Sequence, residues 1–257
     1  MSTRIALAAF DMAGTTVDEH GDVYRALRDC VEETGATVSD EDLQTWMGAD
    51  KTEAIRALLV AGTGADAQRV DDAQVSACFD RFRELLAESY RANPPVALPG
   101  IPAALAELRA GGVAVALTTG FSRDVAQSVL DALGWTVRPH DGDTAGADSA
   151  DSAGSAPALL DPAFTVDALV CADEVAAGRP YPYMIHRAME RTGVADVRSV
   201  LVAGDTALDT AAGRASGAAH VVGVLTGKLT GEDFAGTEAT AVLGSVAEVP
   251  ALVRGHR

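Results

Sequence analysis

Five short apolar runs of β-type residues recur along the chain, at 5–10, 113–118, 168–172, 199–204 and 219–224. They are almost continuously apolar, as strands covered on both faces must be. Between the later runs lie segments with helical spacing of apolar residues, at roughly 101–111, 122–133, 181–193 and 207–216. Strands that alternate with helices predict an α/β fold, a Rossmann-like parallel sheet with helices on both sides.

The stretch from 21 to 92 follows a different pattern. Val23–Thr34, Asp40–Met47, Thr52–Ala61 and Asp71–Ala92 carry helical periodicity and no strand run. Asp40 and Asp50 stand where helix N-caps are expected. The chain then passes through Asn93-Pro94-Pro95 to Leu98-Pro99-Gly100, a linker by composition. The expected organisation is a core of residues 1–20 and 93–257, with an inserted α-helical cap of residues 21–92 over the sheet's carboxyl edge. A length of 257 residues suits such a core with an insert. Residues 141–158, rich in Asp, Ala, Gly and Ser, predict an exposed loop, and 245–257 a closing helix.

Bulk properties narrow the function. A net charge of −17 disfavours a basic face for nucleic acid or anionic membrane. No apolar run reaches the length of a membrane-spanning helix. The first apolar run stops at Asp11, too short and too acidic a start for a signal peptide. Cys30, Cys78 and Cys171 have neither metal spacing nor a disulfide framework. These features lead us to expect a cytoplasmic protein acting on a small molecule.

Four segments fall at or just beyond the carboxyl ends of the predicted strands, where open α/β sheets bind ligands. They are Asp11 to Thr16, Thr118-Thr119-Gly120, Gly178-Arg179-Pro180, and Gly204-Asp205-Thr206-Ala207-Leu208-Asp209. Taken singly, each also reads as a turn or a helix cap. Taken together, in order along one edge, they supply the parts of a phosphoryl-transfer site. Asp11 offers a carboxylate nucleophile. Thr119 offers a hydroxyl and a backbone N–H to phosphate oxygens, and Arg179 offsets developing negative charge. Asp205 and Asp209, with Asp11, offer oxygen ligands to a hard divalent cation such as Mg²⁺.

These residues resemble the haloacid dehalogenase superfamily, whose four motifs occur in this order. Three features are similar to its phosphonatase branch. Asp11-Met12-Ala13-Gly14-Thr15-Thr16-Val17-Asp18 has Ala where phosphatases carry an acid/base Asp. Ala176-Ala177-Gly178-Arg179-Pro180 has Arg where most of the superfamily has Lys. Met47-Gly48-Ala49-Asp50-Lys51 looks like the segment bearing a Schiff-base lysine. The resemblance implies catalytic roles for Asp11, Lys51, Arg179 and Thr119, and a metal site at Asp11, Ala13, Asp205 and Asp209. Substrate and phosphate would meet Ala13, Gly14, Thr15, Thr119, Gly120, Arg179 and Met47. It also suggests a homodimer through the cap helices.

The resemblance explains Ala13 as well. A phosphatase protonates an alkoxide leaving group, whereas an imine between lysine and an aldehyde phosphonate lets carbon depart as an enamine. Two positions depart from the branch: its cap histidine corresponds to Ala54, and an early cap cysteine falls near Asp22. Two other functions stay open at this point, a phosphomonoesterase on a small metabolite and a non-catalytic binding protein. Lys51, at a helix start and followed by Glu53, also reads as an ordinary solvated lysine.

Overall fold

The computed structural model describes residues 4–64, 69–140 and 164–255. Its first strand, β1 (Leu7–Asp11), ends in a tight turn and a short strand β2 (Val17–Asp18). Four helices follow: α1 (Asp22–Glu32), α2 (Asp40–Thr45), α3 (Lys51–Thr63) and α4 (Asp72–Ala92). Strand β3 (Val96–Ala97) brings the chain back, leading to α5 (Ile101–Ala110), β4 (Ala114–Thr119) and α6 (Arg123–Leu133). Short strands β5 (Thr136–Val137) and β6 (Thr165–Val166) precede β7 (Ala168–Cys171) and α7 (Tyr183–Thr192). The last part holds β8 (Val200–Gly204), α8 (Ala207–Ser216), β9 (His220–Val224), α9 (Gly231–Ala235), β10 (Ala241–Leu243) and α10 (Val249–Gly255).

Six strands form one parallel sheet in the order β10-β9-β8-β1-β4-β7. The sheet is sandwiched as the continuous apolar runs require. Ala8 and Phe10 pack into one core, while Leu7 and Ala9 pack into another with Met184, Ile185 and Ala188 of α7. Successive side chains of a strand point to opposite faces, so both faces must be apolar. Strands run outward from β1 to β4 and β7, then the chain returns to the other flank of β1 with β8. That reversal opens a crevice at the carboxyl ends of β1, β4 and β8, the usual ligand site of such sheets.

The helices α1 to α4 cap this edge. Their own apolar faces meet around Leu27, Val31, Ile55, Leu58, Phe82 and Leu86, all buried, and α1 lies along α4. This brings together two cysteines distant in sequence, with Cys78 Sγ donating to the Cys30 carbonyl oxygen at 3.2 Å. Asp50 caps α3 by accepting from Glu53 N–H at 2.9 Å. At α2 the cap is Ser39 and not Asp40, which is the first helical residue. Ser39 holds the extended backbone that a cap needs, and its hydroxyl accepts from Asp42 N–H at 3.0 Å.

Chain exit and re-entry lie side by side, because β2 and β3 pair antiparallel, Val17 opposite Ala97. The predicted loop at 141–158 lies outside the described residues. Strand β10, at the sheet's edge, has no counterpart among the predicted runs. The expected closing helix is shorter than 245–257, with α10 starting at Val249. We expect Phe82→Ala to destabilise the protein by about 3–5 kcal/mol, since it empties a fully buried aromatic site between helices. Urea unfolding of the two proteins measures the difference.

Candidate active site

The turn after β1 is built by one carbonyl. Met12 O accepts from the backbone N–H of Thr15, Thr16 and Val17 at 3.2, 2.9 and 2.8 Å. Gly14 takes φ +81°, and a Cβ there would meet Asp205 Oδ2 at 2.6 Å. Glycine is therefore required both by the left-handed backbone and by the approach of a carboxylate. The turn delivers Thr15 to Asp205, its hydroxyl donating to Oδ1 at 2.7 Å.

Asp209 is placed by the start of α8. Thr206 caps that helix, and Asp209 Oδ2 accepts from Thr206 N–H at 3.0 Å and from its hydroxyl at 2.5 Å. Asp11, Asp205 and Asp209 are all buried, with carboxylate oxygens within 4.8 Å of one another. Such a set of hard oxygen donors suits a divalent cation. The same argument comes from charge. One guanidinium faces three carboxylates, so full ionisation leaves two excess negative charges, which a divalent cation balances.

That guanidinium belongs to Arg179. Its Nη2 donates to Asp11 Oδ1 at 2.6 Å and to the hydroxyl and carbonyl of Thr118, each at 3.0 Å. Nε pairs with Asp209 Oδ1 at 2.7 Å, and Nη1 donates to the Gly48 carbonyl at 3.1 Å. The planar fork engages four groups in fixed directions, which a lysine ammonium would not reproduce. Burial works against its charge, yet Asp11 and Asp209 hold its pKa above the usual arginine range. Burial pushes Asp11 up to about 7, with Arg179 opposing and Asp209 adding to the rise. Asp205 is raised well above the carboxylate range, by burial first and by Asp11 and Asp209 next.

Lys51 is only 4% exposed, so it is not a solvated surface lysine. Its Nζ donates to the Ala49 carbonyl at 2.8 Å and lies 5.8 Å from the centroid of the Phe121 ring. Burial lowers its pKa to about 8, against the pull of Asp50 and Asp11, with Arg179 assisting. The segment before it seats the cap on the core. A Cβ at Gly120 would strike the Ala49 carbonyl oxygen, and one at Gly48 would meet Thr206 Oγ1 at 2.8 Å. Thr119 is buried at the end of β4, where its hydroxyl oxygen accepts from Phe121 N–H at 3.2 Å.

A cavity of about 240 Å³ opens beside this cluster, lined by Ala13, Gly14, Met47 and Asp205 among others. Its remaining wall includes Glu19, Tyr24, Thr226 and Lys228, none of which the sequence singled out. Thr226 donates to the Gly14 carbonyl at 2.6 Å, and Lys228 Nζ lies 4.8 Å from the centroid of the Tyr24 ring. A signal existed for Thr226 and Lys228, which follow the apolar run 219–224 at the same sheet edge. His20 lies outside this wall, with its ring against the Pro94 carbonyl at 3.2 Å.

Comparison with known proteins settles the family. A model of haloacid dehalogenase-like hydrolases matches residues 5–217. This chain belongs to that family. Among relatives of this haloacid dehalogenase-like hydrolase is the phosphonoacetaldehyde hydrolase of Bacillus cereus (strain B4264). It is 28% identical over 219 residues, which cover 80% of this chain and 70% of the relative. That of Paraburkholderia xenovorans (strain LB400) is 26% identical over 208 residues, covering 77% and 66%. In fold, the chain resembles a phosphonoacetaldehyde hydrolase like protein from Oleispira antarctica, with a TM-score of 0.74 at 19% identity over 99% of this chain and 93% of the other. A β-phosphoglucomutase from Clostridium difficile gives the same TM-score, 0.74, at 15% identity over 98% and 96%.

The carboxylate cluster makes a stability prediction. Between its ordinary value of 3.8 and about 7, Asp11 holds a proton in the folded state that the unfolded chain has lost. Raising the pH across that window therefore lowers the stability of the metal-free protein, by up to about 4 kcal/mol from this group. Thermal melts against pH should show this fall, and Asp11→Asn should make it shallower, leaving the part that Asp205 contributes. Added Mg²⁺ should raise the melting temperature more at pH 7 than at pH 5.

Proposed function

We propose that this chain is a Mg²⁺-dependent hydrolase of the phosphonatase type, which cleaves the C–P bond of a small aldehyde phosphonate. The observation that carries the reading is Lys51, a buried amine lowered to about 8 by burial and within the electrostatic reach of Asp11. A lysine must be neutral to attack an aldehyde, and at pH 7 to 8 a useful fraction of this one is. The absence of an acid at Ala13 fits a leaving group that departs as carbon. Relatives described as phosphonoacetaldehyde hydrolases support the same substrate class.

In this reading Lys51 condenses with the aldehyde and holds the substrate as a protonated imine. The Asp11 carboxylate attacks phosphorus, forming an O–P bond as the C–P bond breaks. The electron pair of that bond moves through carbon to the imine nitrogen, giving an enamine. Thr119 and the backbone around Gly14, Thr15 and Gly120 bind the phosphoryl oxygens, and Arg179 offsets their charge. Asp11, Ala13 through its backbone, Asp205 and Asp209 would hold Mg²⁺, which would supply positive charge between the two anions that must approach. Water then releases phosphate from Asp11. Met47 lines the cavity that receives the organic part. Residues 21–92 act as the cap that closes over the substrate, and 1–20 with 93–257 form the catalytic core.

A second reading has one observation behind it. Glu19 is a buried carboxyl on the cavity that Ala13 also lines, which suits the acid chemistry of a phosphomonoesterase. Borohydride trapping with phosphonoacetaldehyde separates the two. A covalent adduct at Lys51, located by peptide mass, is expected, with kcat/KM rising with pH through about 8. If Lys51→Arg keeps full activity while Asp11→Ala abolishes it, the imine route fails and the phosphomonoesterase reading replaces it.

A further inference from the structure

Glu19 sits in the turn that carries the chain from β2 into α1, yet it is only 6% exposed. Its Oε2 accepts from the backbone N–H of Val23 at 2.8 Å. This bond serves the first turn of α1, whose N-cap, Gly21, has no side chain to offer. A capping role alone does not explain where the carboxyl lies. It lines the cavity that Ala13, Gly14 and Asp205 also line, so a molecule filling that cavity meets both Glu19 and the Asp205 corner of the carboxylate cluster. At about 240 Å³ the cavity falls below the size range of drug-sized ligand sites, roughly 300–1,000 Å³, which restricts it to small substrates.

We propose that Glu19 is the proton-transfer group of this site, in place of the acid that position 13 lacks. Its substrate is a small phosphoryl compound whose leaving atom faces the cavity. This rests on the reading of Asp11 as the nucleophile. When Asp11 displaces the leaving group, the Glu19 carboxyl gives its proton to the atom released from phosphorus. For an imine-bound phosphonate that atom is the enamine carbon, and the product is again an iminium, which water hydrolyses to free Lys51. For a phosphate ester it is the alkoxide oxygen. The Glu19 carboxylate then accepts a proton from the water that attacks the aspartyl-phosphate, whose O–P bond breaks to return the Asp11 carboxylate. The cycle closes with Glu19 protonated and no other reactant needed.

The surroundings suit this role. Burial favours the protonated form and raises the Glu19 pKa, while N–H groups of Val23 and Gly21 and the charge of Arg25 oppose the rise, and Asp18 adds to it. Tyr24 of α1, Lys51 of α3 and Tyr90 of α4 all feel its charge. Asp205 and Lys228 line the same cavity. A carboxyl shared between a proton-favouring pocket and a helix start can hold either state, as an acid that becomes a base must.

The test compares Glu19→Gln, Glu19→Asp and Glu19→Ala with the parent, on whichever of phosphonoacetaldehyde and an alkyl phosphate the parent turns over. Glutamine keeps an oxygen for Val23 N–H but moves no proton. We expect its melting temperature to stay at the parent value, its kcat to fall about 10²–10⁴-fold, and one limb of the pH profile to disappear. Glu19→Asp should keep part of the rate, and added formate should restore part of the rate of Glu19→Ala. Glu19→Gln within about threefold of the parent in kcat overturns the proposal. So does equal loss of rate and melting temperature in the Gln and Ala variants with no rescue by formate, which leaves Glu19 a helix cap. Asp11→Asn tells the two levels apart. If it is inactive, a negative result at position 19 concerns Glu19 alone. If it keeps parental activity, or if the parent is inert to both substrates, the nucleophile reading falls and the proposal with it.

Discussion

Arg179 holds a buried positive charge against two buried carboxylates, Asp11 and Asp209, with the third, Asp205, alongside. Charges removed from water in this way cost several kcal/mol each unless they are paired and hydrogen-bonded. Much of the local structure supplies that pairing. Thr118 contributes two oxygens, Thr206 bonds the far oxygen of Asp209, and Thr15 bonds Asp205. The fourth direction of the guanidinium reaches out of the core to Gly48, in the cap. One side chain thereby ties β1, β4, α8 and the turn before α3 into a single unit.

The cap's seating follows from the same cluster. Gly48 lies against Thr206, which caps α8 and bonds Asp209, and the Ala49 carbonyl lies against Gly120. That carbonyl also accepts from Lys51. The cap therefore meets the core at residues that also bond the carboxylate cluster. Burial at this seam is the first cause of the lowered Lys51 pKa, about 8.

How much of this was written in the sequence depends on the range of the forces involved. Buried parallel strands need apolar residues at consecutive positions, so five of the six strands of the main sheet were visible as runs. Strand β10, Ala241–Leu243, is three residues long at the sheet's edge and carries little pattern of its own. The positions of Asp11, Thr119, Asp205 and Asp209 followed from strand ends, and that of Arg179 from a motif. Lys51 was ambiguous because its burial is tertiary. A lysine in the first turn of a helix, followed by Glu53, looks solvated until Phe121 from the core is placed beside it. Glu19 was invisible for a related reason. Its neighbours Asp18 and His20 are polar, and its burial, with its bond to Val23 N–H, appears only in the folded chain. Asp40 was mistaken for a cap because acidic residues crowd the first turn of α2, where they favour the helix dipole as well as a cap would.

The adjacency of β2 and β3 has an evolutionary meaning. Paired strands lie about 4.8 Å apart, so the chain leaves the sheet and rejoins it almost at one point. Whatever lies between Asp18 and Val96 can lengthen, shorten or be replaced without redrawing the path of the sheet. The sheet edge and the insert can then diversify at different rates. Residues where they touch, such as Gly48 against Thr206 and Arg179, Ala49 against Gly120 and Lys51 against Phe121, must change in step.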